Sequence, residues 1–404
     1  MARRRSYLAL AALAHVVAVA AACDAFESEE TSPPSADAGP SPDASTSDAR
    51  PPIDAGDGGS SVPCEPEPPW VDESAVADGG LATATCGGVA GVDLLNSDSH
   101  CGRCGHSCLG DGCEKGRCKP KLMAAAESGT GLRVHAGSLA YVNGDFVRVL
   151  SPPAASTTIA TAPGASGLRS AVYDDAHVFT RGNLRLFRVG RDGGAPDTLS
   201  AATAGIAPVF LSPTGDVVFD SDNGYLRASK LGDGGDVVPF GPRNVTAAAE
   251  VPGGLVLLAN AWNDGVLSRL GVLHHEAWAG GTTLTLGSAT NLTAVAVDAE
   301  HVYAIRVDGA ATGIVRARLP PKNDGVVQDF AVDPATASPG QRYIAVDATH
   351  VYWTRPVGGS VDIVKRAKCG GETVVIAKGA ARGLLVPFGD YLYQGAFGVP
   401  RIAK

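Results

Sequence analysis

Ile344-Ala-Val-Asp-Ala-Thr-His-Val-Tyr-Trp353 decides the fold of this chain, because the same pattern of apolar stretch, tight turn and aromatic strand recurs along it. Close copies occupy 171–179 and 295–303, and looser copies occupy 132–141, 209–219, 250–258 and 384–393. The residues that open the seven turns, spaced by 39, 38, 39, 47, 49 and 40 residues, are His135, Asp174, Ser212, Val251, Asp298, Asp347 and Pro387. A period of about 40–50 residues made of short strands is typical of β-propeller blades.

Each copy continues into a third apolar segment, a Gly-containing turn and a fourth short strand, which is the composition of a propeller blade. The last copy reaches only its third strand, at 399–402, whereas 121–125 lies before the first copy, where a fourth strand is needed. Joining these segments removes two exposed strand edges. The sequence therefore predicts an all-β protein with a seven-bladed β-propeller over 119–404, closed by its N- and C-terminal strands.

Composition restricts the function classes. The 51 glycines, 27 prolines and 19% charged residues fit a turn-rich β protein better than a helical one. Residues 121–404 are nearly neutral, with 25 basic and 24 acidic side chains. This region lacks the basic field that nucleic-acid binding requires, so we expect no nucleic-acid partner.

The N-terminus has the pattern of an export signal. Arg3-Arg4-Arg5 precedes an apolar run that is too short for a stable membrane span, which predicts a signal peptide over 1–22. Ala20-Ala-Ala-Cys23 resembles the bacterial lipobox, although Ala20 stands where Leu is usual. Ordinary signal-peptidase cleavage is the alternative. We favour lipidation of Cys23, because the polar segment 23–63 that follows cannot bury a core and suits a disordered tether.

A small cysteine-rich module is predicted over 64–118. Its disulfide candidates, together with one cysteine of the propeller, are Cys64, Cys86, Cys101, Cys104, Cys108, Cys113, Cys118 and Cys369. The alternative is a zinc site at Cys101 and Cys104 with nearby histidines, but structural zinc sites usually pair two such knuckles. An exported chain meets an oxidising compartment, which favours disulfides whose pairing the sequence leaves open. We predict no metal and no cofactor.

Two motifs resemble known families. The repeated Asp-x-x-His-Val-Tyr phrase with Gly-Gly turns resembles short-repeat propellers of exported bacterial proteins, near the NHL and TolB-type groups. The Cys-Gly-x-Cys-Gly-x-x-Cys stretch at 101–108 is similar to cysteine-rich modules of myxobacterial surface lipoproteins. The resemblance implies an anchored propeller that binds proteins or glycans, and it supplies a scaffold and a location rather than a chemistry.

Repeated polar residues were weighed as site candidates. His177, His301 and His350 recur in phase, each three residues after an Asp, and we interpret these Asp residues as acceptors for turn amides. Arg181, Arg306 and Arg355 follow the aromatic strands and could clamp a carboxylate or phosphate at the channel mouth, unless they are solvated loop residues.

The fourth and fifth repeats carry longer loops, and long loops on a rigid scaffold commonly bind ligands. Trp262 and Asp264 are therefore further ligand-binding candidates, with plain loop packing as the alternative. We predict no metal at His274, His275 and Glu276, because adjacent strand residues point to opposite faces.

No catalytic residue is assigned, because the sequence contains no local hydrolase, metalloprotease, nucleotide or dinucleotide motif. We predict a monomeric lipoprotein, exported and membrane-anchored in the bacterial cell envelope, which presents a non-catalytic propeller to an envelope protein or glycan. The alternative is an exported propeller enzyme, a hydrolase or lyase, with its active site at the channel mouth.

Overall fold

The structure is a computed structural model that describes residues 70–71, 82–135, 137–150, 156–161, 170–182, 185–200, 210–213, 216–221, 224–229, 238–242, 244–262, 269–279, 283–308, 311–333 and 342–404. These residues form 32 β-strands. None of the described segments is a helix with the length and hydropathy that a bilayer crossing requires. The predicted signal peptide and tether, including Cys23, lie outside the described residues.

Five strands precede the first repeat: β1 (Thr83–Cys86), β2 (Val89–Asp93), β3 (Cys113–Glu114), β4 (Arg117–Cys118) and β5 (Lys121–Ser128). Sheet 1 contains β6 (Thr130–His135), β7 (Ser138–Asn143), β8 (Phe146–Leu150) and β9 (Thr157–Thr161). Sheet 2 contains β10 (Ser170–Tyr173), β11 (His177–Gly182), β12 (Arg185–Gly190) and β13 (Asp197–Ser200). Sheet 3 contains β14 (Phe210–Leu211), β15 (Asp216–Ser221), β16 (Gly224–Ser229) and β17 (Val238–Phe240).

Sheet 4 contains β18 (Val245–Val251), β19 (Gly254–Trp262), β20 (Arg269–Ala277) and β21 (Leu284–Thr290). Sheet 5 contains β22 (Leu292–Val297), β23 (His301–Asp308), β24 (Ala311–Arg318) and β25 (Gln328–Asp333). Sheet 6 contains β26 (Ile344–Val346), β27 (His350–Val357), β28 (Ser360–Ala367) and β29 (Val374–Ala380). A composite sheet contains β30 (Leu384–Phe388), β31 (Tyr391–Gly395), β32 (Phe397–Ala403) and, from the other end of the region, β5.

The order of strands in these sheets confirms the β-propeller and corrects the predicted blade count. Six blades, not seven, are each built from four strands that follow one another in sequence. The remaining four-stranded sheet is shared by two distant segments, in the order β30-β31-β32-β5. The physical reason is that the chain supplies only three strands after sheet 6, so the fourth position is filled from the N-terminal side. The seven-fold repeat in the sequence therefore does not correspond to seven blades of the same construction.

Consecutive sheets pack face to face through apolar side chains. The described core divides into clusters that each span two neighbouring sheets, with members such as Val147 and Val178, Val172 and Val217, Phe210 and Leu257, Leu258 and Val302, Ile305 and Trp353, Tyr352 and Leu392, and Leu139 and Val399. The last pair joins the composite sheet to sheet 1, which closes the ring. β-branched and aromatic residues suit these strands because both faces of each sheet are covered.

The pairing of β32 with β5, which completes the composite sheet, depends on a glycine of β32, Gly398. β32 pairs with β5 through Gly398 opposite Ala124 and Pro400 opposite Leu122. Gly398 has φ of 80°, and a Cβ there would lie 2.8 Å from the Leu122 side chain. Only glycine accepts this backbone without strain or displacement of its neighbour.

The cysteine-rich module contains three described disulfides, Cys86–Cys104, Cys101–Cys113 and Cys108–Cys118. The sulfurs of Cys101, Cys108 and Cys118 lie close together, but each belongs to a disulfide, which accounts for the cluster without a metal. Cys369 is disulfide-bonded as well, and Cys64 lies outside the described residues.

The module docks on the composite sheet through polar contacts. The guanidinium of Arg401 donates to both carboxylate oxygens of Asp111, at 3.0 and 2.8 Å. The ring of His106 is buried between two main-chain oxygens, those of Cys101 at 2.7 Å and Lys404 at 3.1 Å. Residues 62–404 accordingly form one compact unit.

Candidate binding cleft between two sheets

A cleft of about 620 Å³ opens between sheets 5 and 6. Sheet 5 contributes 297–301, Tyr303 and Arg316 to its walls, and the sixth repeat contributes 346–348, Lys368 and Cys369. We call this space the inter-sheet cleft. It lies at the turns between the first and second strands, where the recurrent Asp and His residues stand.

The turns that line the inter-sheet cleft are fixed by their aspartates. Asp298 Oδ1 accepts hydrogen bonds from the amides of Glu300 and His301 at 2.8 and 2.7 Å, and the turn closes through the Asp298 amide and the His301 carbonyl at 3.0 Å. Asp347 repeats this geometry with the amides of Thr349 and His350 at 2.9 and 2.8 Å. The interpretation of the recurrent Asp as a turn acceptor is confirmed.

The second carboxylate oxygen of each Asp reaches a lysine of the following sheet. Asp298 Oδ2 lies 2.7 Å from Lys368 Nζ, and Asp347 Oδ2 lies 2.9 Å from Lys404 Nζ. Asp347 also accepts from the Tyr352 hydroxyl at 2.9 Å. These contacts form a repeated inter-sheet ion pair.

The ion pairs change the pKa of both aspartates. Burial opposes ionisation, but the hydrogen bonds from Lys368 and from turn amides outweigh it and lower the pKa of Asp298. The same balance, with Lys404 as the cation, lowers the pKa of Asp347. Both carboxylates are therefore ionised and paired at neutral pH.

Arg316 and His301 complete the polar wall. Arg316 lies on β24 opposite Tyr303 on β23, and its guanidinium carbon is 5.6 Å from the centre of the Phe330 ring. Burial, followed by the charge of Asp298, raises the pKa of the Tyr303 hydroxyl, and Arg316 acts in the opposite sense. Burial is also the main cause that lowers the pKa of His301, with Asp298 opposing and Arg316 assisting. His301 is therefore neutral at pH 7.

The predicted arginine sites lie elsewhere. Arg306 and Arg355 are inside β23 and β27, which continue past the aromatic residues. Arg306 forms an ion pair with Asp329 at 2.6 Å, and Arg355 forms one with buried Asp333 of the preceding sheet at 2.7 Å. Both guanidinium groups therefore have carboxylate partners inside the protein.

The other candidates are described only in part. Arg181 pairs through its backbone with Ser170 and Leu186 inside sheet 2. Trp262 pairs through its backbone with Arg269 at the end of β19, and Asp264 lies outside the described residues. None of these residues is among the described residues that line the inter-sheet cleft. His275 pairs with Val256 and Glu276 with Leu255 along β19, and the Glu276 carboxylate accepts from Thr283 at 2.6 Å.

Sequence reasoning missed Arg316 and Lys368 as site residues. A signal for Arg316 was present, because the third strand of several repeats places a basic residue opposite the aromatic residue of the second strand. The pairs are Tyr141 with Arg148, Phe179 with Arg188, Tyr303 with Arg316, Tyr352 with Lys365, and Tyr393 with Arg401. Lys368 carries no such signal, since its partner Asp298 belongs to the preceding repeat.

No protein-family model and no curated protein matches the sequence. Among solved structures, the chain is similar to virginiamycin B lyase from Staphylococcus aureus, at 13% identity over 70% of this chain and 99% of the lyase, with a TM-score of 0.47. It is also similar to the β-propeller domain of the Trilobed protease from Pyrococcus furiosus, at 13% identity over 67% and 91% of the two chains, with a TM-score of 0.45. A gluconolactonase from Xanthomonas campestris is similar at 12% identity over 70% and 87%, with a TM-score of 0.39. Similarities this low carry no argument about the activity of this chain.

Proposed function

We propose that this protein is an exported, lipid-anchored component of the bacterial cell envelope whose propeller binds a glycan, without catalysis, in the inter-sheet cleft. The observation that carries the proposal is the cleft itself, whose walls combine Asp298, Glu300 and Asp347 with Arg316 and Lys368. Sugar hydroxyls both donate and accept hydrogen bonds, so a mixed lining of carboxylates and cations matches them.

The size of the cleft supports a small ligand or the end of a chain. Its volume of about 620 Å³ falls inside the range of about 300–1,000 Å³ that is usual for small-molecule sites. Apart from the ring of Tyr303, its apolar lining consists of short side chains, those of Val297, Ala299, Val346 and Ala348. A ligand with hydroxyl groups suits this wall better than one with large apolar side chains.

The lowered pKa of Asp298 and Asp347 supports binding rather than glycoside hydrolysis. A glycosidase needs one carboxyl group whose pKa is raised, so that it can donate a proton to the leaving oxygen. The pKa of each of these two aspartates is lowered instead, because each carboxylate is ion-paired and accepts hydrogen bonds from turn amides. They are suited to fixing the walls of a binding site.

Export is supported by the disulfides of the module. Three bridges within 86–118 are expected where the compartment is oxidising and a short segment lacks a core of its own. The apolar N-terminal run and Cys23 supply the signal and the attachment point. Several acyl chains on one cysteine would hold the protein stably at a membrane.

The glycan proposal is tested by closing the cleft. Ala348 is exposed in the turn of sheet 6, and Ala348→Trp would fill the space between the two turns. Asp175→Trp is the matched control, because Asp175 is exposed at the same repeat position in sheet 2. Full-length mature protein and both variants are applied to an array of immobilised neutral and acidic glycans. We expect binding by the wild type and the control and its loss in Ala348→Trp; equal binding by all three proteins, or none by the wild type, would contradict the proposal.

The anchor is tested separately. Cys23→Ser is expected to move the protein from the membrane fraction to the soluble fraction and to remove incorporation of labelled fatty acid. A variant that stays membrane-bound would show that Cys23 is not the attachment point.

A further inference from the structure

We infer that the glycan bound in the inter-sheet cleft carries a carboxylate, as uronic acids do, and that Arg316 is the residue that binds it. The inference rests on the proposed function and adds the chemical class of the ligand. It follows from how the charged groups of the cleft are already paired.

Arg316 is the cation of the cleft that has no carboxylate partner among the described residues. Its described contacts are with the Tyr303 hydroxyl and the face of the Phe330 ring. Neither contact neutralises its charge, and a guanidinium has five N–H donors, so donors are left for a ligand. By comparison, Arg306 on β23 and Arg355 on β27 each bind an aspartate.

The other charges near Arg316 have partners of their own. Asp298 is bound to Lys368 and shares the Tyr303 hydroxyl with Arg316, and Asp347 is bound to Lys404 and Tyr352. Glu300 lies 3.8 Å from Lys322, and both of these side chains are well exposed. An incoming carboxylate can therefore pair with Arg316 without breaking an ion pair among the described residues.

His301 adds a second polar group beside Arg316. The two residues lie in the same wall, and the charge of Arg316 acts on the His301 ring. A neutral imidazole offers one N–H donor and one acceptor, which suits a carboxylate oxygen on one side and a sugar hydroxyl on the other. A guanidinium fork with an adjacent imidazole is thus a binding site for the acidic edge of a uronic acid.

A saccharide is favoured over an acidic peptide by the rest of the wall. Past Arg316, the cleft offers the exposed carboxylate of Glu300, whose oxygens accept from hydroxyl groups. A peptide binds commonly by adding a strand to an exposed sheet edge, and this wall is made of turns and side chains instead.

The test compares one sugar with and without its negative charge. Glucuronate, its uncharged amide and glucose are titrated by calorimetry or NMR into full-length mature protein, Arg316→Gln, Arg316→Lys and Arg318→Gln. Arg318 is the matched control, because it lies two residues further along β24, has its side chain exposed and does not line the cleft, while its charge acts on His301 as that of Arg316 does. Circular dichroism and urea unfolding verify that each variant is folded.

We expect glucuronate to bind the wild type about 10- to 100-fold more tightly than the amide, which corresponds to one charge-assisted hydrogen-bond pair. Arg316→Gln should abolish this difference, Arg316→Lys should keep part of it because it keeps the charge without the fork, and Arg318→Gln should keep all of it. If Arg316→Gln is unfolded, the comparison of Arg316→Lys with the wild type decides.

Other outcomes separate the two proposals. Equal affinity for glucuronate, the amide and glucose would overturn the carboxylate inference while leaving glycan binding intact. Binding of acetate or of an acidic dipeptide as tight as that of glucuronate would overturn the assignment to a saccharide. Failure of all saccharides to bind would contradict the proposed function itself.

Discussion

The inter-sheet ion pair between Asp298 and Lys368 gives a measurable prediction about what holds neighbouring blades together. The carboxylate of Asp298 serves two purposes, since Oδ1 accepts two turn amides and Oδ2 binds Lys368 of the next blade. Asp298→Asn keeps an oxygen for the turn amides and replaces Oδ2, the acceptor for Lys368, with an uncharged amide nitrogen. The variant therefore isolates the contact between sheets from the local turn.

The magnitude follows from the exposure of the two side chains. Fully exposed ion pairs contribute about 0–1 kcal/mol, whereas breaking a buried pair costs about 3–5 kcal/mol. The side chains of Asp298 and Lys368 are 16% and 19% exposed, and their N–O distance is 2.7 Å, so the pair lies between these limits. We expect Asp298→Asn to lower the free energy of unfolding by about 1.5 kcal/mol.

The assay is a double-mutant cycle in urea with Asp298→Asn, Lys368→Met and the double variant. The expected coupling energy is about 1 kcal/mol, and each 1 kcal/mol should lower the melting temperature by about 2–4 °C. Glu300→Gln is the control, because its pair with Lys322 spans 3.8 Å between side chains that are 67% and 73% exposed. A coupling below about 0.3 kcal/mol would refute the idea that this contact ties the two blades.

Three further predictions concern the same scaffold. The pKa of Asp298 and of Asp347 is lowered in the folded state, so their contribution to stability is complete above the ordinary Asp value of about 3.9 and is lost as the pH falls toward the lowered value. Urea unfolding at pH 6 and pH 3 should therefore show a smaller acid-induced loss in Asp298→Asn than in the wild type. Asp111→Asn should cost about 3 kcal/mol, measured in urea, because the carboxylate that binds Arg401 is 1% exposed. Gly398→Ala should cost about 1–3 kcal/mol, because φ is 80° and the new Cβ would lie 2.8 Å from Leu122.

Each of these predictions has a contradicting result. If Asp298→Asn loses as much unfolding free energy between pH 6 and pH 3 as the wild type does, another group causes the acid sensitivity. Retained stability in Asp111→Asn would mean that the contact between Asp111 and Arg401 does not hold the module in place. Gly389→Ala is the control for Gly398, since its φ is 56° but no atom lies within 4 Å of the new Cβ, so equal costs at both positions would exclude a packing effect at Leu122.

Much of the fold was predictable because its signals are local. The turn aspartates act within three residues of sequence, so the recurrence of Asp298 and Asp347 indicated the same hairpin each time. The incomplete last repeat indicated that β5 completes the sheet of β32. The predicted count of seven blades was wrong, because a repeat in the sequence does not show which segments share a sheet.

The candidate site was less predictable, because it depends on contacts between repeats. Arg355 looked like a loop residue, yet β27 runs to Val357 and places the guanidinium against Asp333 of sheet 5. Arg316 looked like one member of a repeated pattern, and only the placement of the described side chains around it shows that none of them is a carboxylate partner. Local spacing contains no information about either contact.

Amide hydrogen exchange with and without glucuronate tests the central claim, that the ligand binds between sheets 5 and 6. The account predicts that protection is gained in the turns 298–301 and 347–350 and at Lys368, and that the matching turn 174–177 of sheet 2 stays unchanged. Protection confined to the opposite end of the propeller, near Arg181 or Trp262, would contradict it.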